Sequence, residues 1–117
     1  MSDFAVEPMR DQIIDNDLLD MSVLVLKTLS DPARLQLLWA LCLGDRTLSE
    51  LAQLVGVTPN AASQLLTKLR AAGVLDAHKS GRHMIYSMHD EHSREFVRQT
   101  LNFAEHRLAL DKQSSDH

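Results

Sequence analysis

Two histidines near the C-terminal end of the sequence are placed as metal ligands would be in a symmetric pair of helices. His92 and His106 are fourteen residues apart, and the residues around them predict one long helix. Over that distance a helix turns by about 1400°, so the two imidazoles project within roughly 40° of each other. The same stretch rises by about 21 Å, which is too far for both rings to hold one ion. A shared ion therefore requires two antiparallel copies of the helix, and thus a homodimer.

The composition favours a single folded domain. The chain has 117 residues and is 44% hydrophobic, which excludes a disordered protein. No apolar run is long enough to span a membrane, and the first ten residues lack the features of a signal peptide. We therefore expect a cytoplasmic protein. Cys42 is the only cysteine and lies in an apolar run, which predicts a buried structural thiol and excludes a disulfide framework.

Apolar periodicity and capping residues predict five helices and one β-hairpin. Asp31-Pro32, Thr47 with Glu50, and Thr58-Pro59 have the pattern of helix starts, and Gly56 and Gly73 that of helix ends. The predicted helices are 17–29, 32–43, 48–55, 59–72 and a final one from Asp90 to about Leu110; the predicted strands are 74–78 and 83–88. We divide the chain into a flexible N-terminal arm (1–15), one domain (16–110) and a polar tail (111–117).

The third and fourth predicted helices, followed by the hairpin, form a winged helix-turn-helix, which is typical of DNA-binding proteins. The fourth helix begins with small and polar side chains that can approach base edges and phosphates in the major groove. The net charge of −4 does not favour nucleic acid, but residues 58–87 carry four basic side chains against one acidic one. The predicted DNA-binding residues are Thr58, Asn60, Ser63, Gln64, Thr67, Lys68, Arg70, Lys79 and Arg82.

These segments together resemble the ArsR/SmtB family of winged-helix repressors. The resemblance rests on residues 29–35, 48–52, 63–75, 81–82 and 85–87 and covers roughly residues 20–108. It implies a mainly α fold of five helices plus a two-stranded wing. It also implies a homodimer that forms through the N- and C-terminal helices and binds a palindromic operator in double-stranded DNA. A ligand bound to the protein would relieve repression.

The resemblance also implies where a metal effector would bind. Leu48-Ser49-Glu50-Leu51-Ala52 lacks the Cys-x-Cys pair of the family's thiolate site. Asp90 and His92 match the first ligand pair of the site on the C-terminal helix, and His106 matches its last ligand. Phe103 stands where the family usually has a histidine. Glu105 and the tail residue His117 resemble the ligands that complete the site in the nickel- and cobalt-sensing branch.

Oxygen and nitrogen ligands of this kind suit Zn(II), Ni(II) or Co(II). Four ligands would favour zinc and six would favour nickel or cobalt. Phe103 supports an alternative function, namely a DNA-binding regulator of the same family that does not sense metal at this site. A dimeric interaction module without DNA binding is a further alternative. We do not expect an enzyme, because no nucleophile–base pair or glycine-rich phosphate loop is visible in the sequence.

Overall fold

The computed structural model describes residues 13–115 of the chain. This part contains five α-helices and a three-stranded antiparallel sheet with the strand order β1-β3-β2. The elements are α1 (Asn16–Leu29), α2 (Pro32–Leu43), β1 (Arg46–Thr47), α3 (Leu48–Val55), α4 (Pro59–Ala71), β2 (Leu75–Ser80), β3 (His83–Met88) and α5 (Glu91–Ser115). None of the described helices is apolar over a length that would cross a membrane.

The predicted helix starts are confirmed by their caps. The Asp31 carboxylate accepts a hydrogen bond from the backbone N–H of Arg34 and begins α2. Thr47 and Glu50 form a reciprocal capping box at the start of α3. These side chains satisfy N–H groups that have no partner within the helix, so they fix where each helix begins.

The core lies where α2, α3, α4 and the sheet meet. Its largest fully buried side chains come from α2, α3, α4, β2 and α5, and α5 contributes one of them. Burial of such large aliphatic groups is the main favourable contribution to folding. Cys42 is buried as predicted, and its burial raises the pKa of the thiol. The largest fully buried residues are Leu37, Leu38, Leu41, Leu51, Leu66, Leu69, Leu75 and Val97.

The sheet has one strand more than the sequence indicated. Arg46 and Thr47 pair with Tyr86 and Ile85, so β1 joins the predicted hairpin along β3. A strand of two residues is too short to show an alternating pattern, which is why the sequence predicted a two-stranded wing only. β2 also extends to Ser80, so the hairpin turn contains two residues instead of the four predicted.

Helix α5 extends to Ser115, beyond the predicted end at Leu110. The residues after Leu110 contain no glycine or proline that would end a helix. Arg107 and Asp111, one turn apart, form an ion pair at 3.9 Å that supports this last part. Most of the predicted N-terminal arm and residue His117 lie outside the described residues.

Helices α1 and α5 expose apolar side chains that nothing within residues 13–115 covers. The predicted apolar stripe of α1 faces mostly outward, and only Leu29 of that stripe is buried. Soluble monomers rarely leave such continuous apolar surface in water. We call the following residues the exposed apolar surface: Leu18, Leu19, Met21, Val23, Leu24 and Leu26 of α1, and Phe103, Leu108 and Leu110 of α5.

Candidate nucleic-acid interface and metal site

A tight turn at Gly56 joins α3 to α4. Gly56 has φ 79° and ψ 35°, the left-handed conformation that favours glycine. The backbone N–H groups of Gly56 and Val57 both donate to the carbonyl of Ala52 and close the end of α3. Thr58 then caps α4 by accepting a hydrogen bond from the N–H of Ala61 at 3.1 Å. The turn therefore sets the angle at which the second helix leaves the first.

Helix α4 has one buried and one polar face. Ala62, Leu66 and Leu69 pack into the core, so the opposite face is held outward by apolar packing. That face presents most of the predicted DNA-binding side chains to solvent, while Ser63 is half-buried. The Thr67 hydroxyl donates to the Ser63 carbonyl at 2.8 Å, so only its lone pairs remain for another partner. The exposed predicted residues of this helix are Asn60, Gln64, Thr67, Lys68 and Arg70.

The wing places two further basic residues at its tip. β2 and β3 are joined by Gly81 and Arg82, with Ser80 paired to His83 on either side of the turn. Gly81 has φ 62°, as a two-residue hairpin turn requires. Lys79 and Arg82 are both exposed. An extended hairpin with a cationic tip can reach the backbone of DNA that is bound by α4, the candidate recognition helix.

Asp90 and His92 lie together at the first turn of α5. One oxygen of Asp90, Oδ1, accepts a hydrogen bond from the backbone N–H of Ser93 at 2.9 Å. The other oxygen, Oδ2, lies 3.7 Å from Nδ1 of His92, whose side chain is 99% exposed. The Ser93 hydrogen bond holds the pKa of the Asp90 carboxyl below its usual value. The pair therefore offers a carboxylate oxygen and an imidazole nitrogen to the surface.

The second half of the predicted site is farther along α5. His106 is exposed, and Phe103 on the same face is 69% exposed. Glu105 lies about 100° around the helix from His106, where it lines a groove of about 720 Å³ between α2 and α5, with Trp39. The structure thus brings Asp90 and His92 together and sets Glu105 on a different face from His106.

No complete metal site forms within one chain over residues 13–115. There, no group of three or more His, Cys, Asp or Glu side chains is close enough to hold an ion. This result agrees with the separation expected for His92 and His106 on one helix. His117 falls outside the described residues.

A contact between Asp76 and His89 was missed in the sequence. Nδ1 of the His89 ring lies 3.0 and 3.1 Å from the two carboxylate oxygens of Asp76. The backbone N–H of His89 donates to the Val74 carbonyl. The hairpin register could have revealed it, because extending that register by one pair places His89 opposite Val74, diagonal to Asp76. The contact ties the start of α5 to the wing.

Known proteins share both the sequence pattern and this arrangement. Residues 31–77 match the model of bacterial regulatory proteins of the arsR family. The chain is 33% identical over 93 residues to the HTH-type transcriptional regulator KmtR of Mycobacterium tuberculosis, covering 80% of this chain and 72% of that protein. The chain belongs to the ArsR family. This ArsR-family protein is therefore a winged helix-turn-helix DNA-binding regulator and not an enzyme.

Two further similarities extend over most of the ArsR-family chain. The HTH-type transcriptional regulator NmtR of M. tuberculosis is 31% identical over 81 residues, covering 69% of this chain and 68% of that protein. A solution structure from Mycobacterium bovis, described as a homodimeric winged helix-turn-helix DNA-binding domain, superposes with a TM-score of 0.76. It has 27% sequence identity and covers 89% of this chain and 93% of that one. The fold is thus that of winged helix-turn-helix regulators.

The cap at Asp90 predicts a pH-dependent contribution to stability. Because the folded pKa of Asp90 is lowered, its contribution is complete above the unfolded pKa of about 3.9 and is lost as the pH falls through the folded value. Asp90→Ala should therefore lower the free energy of unfolding at neutral pH. Its difference from wild type should shrink as the pH falls below about 4. Urea unfolding of both proteins from neutral pH into acid measures this difference in the free energy of unfolding.

The matched control for this prediction is Asp45→Ala. Asp45 is exposed in the segment between α2 and β1 and has no hydrogen bond or ion pair among the described contacts. Its substitution should change stability little at any pH. A destabilisation by Asp90→Ala that stays constant from neutral pH into acid would show that the carboxylate is not the capping group.

Proposed function

We propose that this protein is a homodimeric repressor that leaves its operator when a divalent transition metal, Ni(II), Co(II) or Zn(II), is held between the C-terminal helices. The observation that carries the proposal is the position of Asp90 and His92 at one end of α5 and His106 about 21 Å away on the same face. Each α5 then contributes one half of two symmetric sites.

The outward face of α4 supports operator recognition. Its first half carries Asn60 and Gln64, whose amides can make paired hydrogen bonds to adenine. Lys68 and Arg70 in the last turn, with Lys79 and Arg82 on the wing, are placed to contact backbone phosphates. The hydroxyl groups of Thr58 and Thr67 are engaged in the helix, so we assign them and Ser63 to phosphate or water-mediated contacts.

The exposed apolar surface of α1 and α5 supports a homodimer. A second copy that covers this surface removes large aliphatic side chains from water, at roughly 25 cal/mol for each Å² buried. Closed twofold symmetry is the usual solution for such self-complementary surfaces. The homodimeric state of the related Mycobacterium bovis domain agrees with this assignment.

The donor set fits a borderline divalent ion. The Ser93 hydrogen bond lowers the pKa of the Asp90 carboxyl, which favours its charged form, and the exposed His92 ring offers a nitrogen beside it. We assign Asp90 and His92 of one subunit and His106 of the partner to the same ion. We assign Glu105 and His117 to the remaining coordination positions of the ion. Such an ion acts as an effector by joining the two α5 helices in one arrangement.

Phe103 favours a second candidate function. It exposes an aromatic ring on the face of α5 that carries His106, and a phenyl ring cannot coordinate a metal. In this alternative the protein is a DNA-binding regulator of the same family in which this face serves only for dimer packing. Operator binding would then be independent of metal.

The DNA-binding role of α4 predicts a specific defect in Gln64→Ala. Loss of a paired base contact should cost about 1–3 kcal/mol of discrimination, so affinity should fall for an operator selected from random duplexes and stay unchanged for unselected DNA. Gln113→Ala, on the exposed end of α5, is the matched control. Equal affinity of wild type and Gln64→Ala for the selected operator would contradict this role.

The metal site predicts that operator affinity falls when Ni(II), Co(II) or Zn(II) is added. Couplings of this kind typically reach about 1–3 kcal/mol, or roughly 5- to 150-fold. His92→Ala and His106→Ala should each remove the metal effect without weakening metal-free DNA binding. His78→Ala, at an exposed position of β2, should retain the metal effect. If none of the three metals changes the affinity of the wild type, the metal-sensing function is wrong and the alternative holds.

A further inference from the structure

A pocket lined by cationic side chains lies between α1, α2 and α4, away from the metal site. Its volume is about 420 Å³. Lys27 comes from the last turn of α1, Arg34 from the first turn of α2 and Lys68 from the last turn of α4. Among the described residues that line the pocket there is no carboxylate. Three like charges therefore converge from three separate helices.

These three cations have almost no partners within residues 13–115. The side-chain ammonium groups of Lys27 and Lys68 take part in no hydrogen bond or ion pair there. Arg34 has one carboxylate nearby, since its Nε lies 3.8 Å from Oδ2 of Asp31, but Nε is buried without a hydrogen-bond acceptor. The same Asp31 oxygen already accepts the backbone N–H of Arg34 as the cap of α2. The pocket therefore has an excess of positive charge and of unused donors.

Helix ends alone do not explain this arrangement. A lysine in the last turn of α1 or α4 interacts favourably with the negative end of that helix dipole. This accounts for Lys27 and Lys68 separately. It does not account for their meeting beside Arg34 at the start of α2, where the dipole is positive and favours an anion. A negatively charged group bound between the three cations would offset their mutual repulsion.

We propose that this pocket binds a phosphate oxyanion. The guanidinium of Arg34 offers a planar fork that matches phosphate oxygens, and the two lysines add mobile ammonium groups. The pocket lies at the C-terminal end of the recognition helix, on the flank of the face that carries Gln64 and Thr67. The phosphate is a backbone phosphate of the bound DNA or free inorganic phosphate. The first source rests on the proposed function, because it requires DNA binding; the second does not.

The first arm of the test measures the salt dependence of binding to a mixed-sequence duplex by the full-length protein. Each neutralised phosphate contributes about 0.9 to the slope of log K against log salt. If the pocket binds a backbone phosphate, Lys27→Gln should make the negative slope about one unit less steep. It should also weaken binding roughly three- to tenfold at about 0.1 M salt. Lys112→Gln, an exposed lysine in the last turn of α5, is the charge-matched control and should leave the slope unchanged.

The second arm titrates inorganic phosphate into the labelled protein without DNA and follows the amide signals of Ala71 and Ala72. For free phosphate, these signals should shift saturably in the wild type and in Lys112→Gln, but not in Lys27→Gln. Thermal unfolding of Lys27→Gln, whose side chain is exposed and unpaired, confirms that the variant folds. Arg34→Lys, which keeps the charge and loses the fork, should weaken whichever response is seen.

The outcomes separate the two sources of the phosphate. A changed slope in Lys27→Gln supports a backbone phosphate, and a saturable shift that Lys27→Gln abolishes supports free phosphate. If the variant matches the wild type in both arms, the pocket is not an oxyanion site. If the wild type binds no duplex DNA, the DNA-binding function is wrong, and the phosphate titration alone decides the nature of the pocket.

Discussion

The proposed functions depend on one constraint: apolar side chains of α1 and α5 that a single subunit leaves exposed to water. In one subunit the core is built by α2, α3, α4 and the sheet, and α5 is anchored to it chiefly by Val97. The rest of α5 and most of α1 project apolar side chains outward. A second copy that covers them would set the distance between the two recognition helices and would bring Asp90 and His92 toward the partner's His106. Operator binding and metal binding, as proposed, thus both depend on covering the exposed apolar surface.

The start of α5 is where the proposed metal site adjoins the wing. Asp90 caps the helix, and the preceding residue, His89, is held by Asp76 of β2 and by the Val74 carbonyl. The wing and the first turn of α5 are therefore joined through short contacts. A change in the position of α5 at Asp90 would therefore act on the wing through these contacts.

The sequence predicted those features that depend on local chemistry. Capping residues such as Thr47 and Thr58 and the glycines at helix ends determine their own turns, so five helices and the hairpin were expected. Features that depend on distant contacts were not predictable. β1 exists only because Arg46 meets Tyr86. Apolar periodicity did not show that α1 faces outward, and only the family resemblance, through the dimer it implies, pointed to that. Glu105 was chosen as a ligand because the family resemblance implied it, and helix geometry separates its face from that of His106 by about 100°.

Mixing two inactive variants tests most directly whether the metal site is shared between subunits. In a dimer of one His92→Ala and one His106→Ala subunit, one site loses both histidines and the other regains Asp90, His92 and the partner's His106. Each variant alone should bind no metal with high affinity, whereas the mixed dimer, formed by refolding the two together, should bind one ion per dimer. If the mixed dimer binds no more metal than its parents, the site is not an intersubunit one and the account is contradicted.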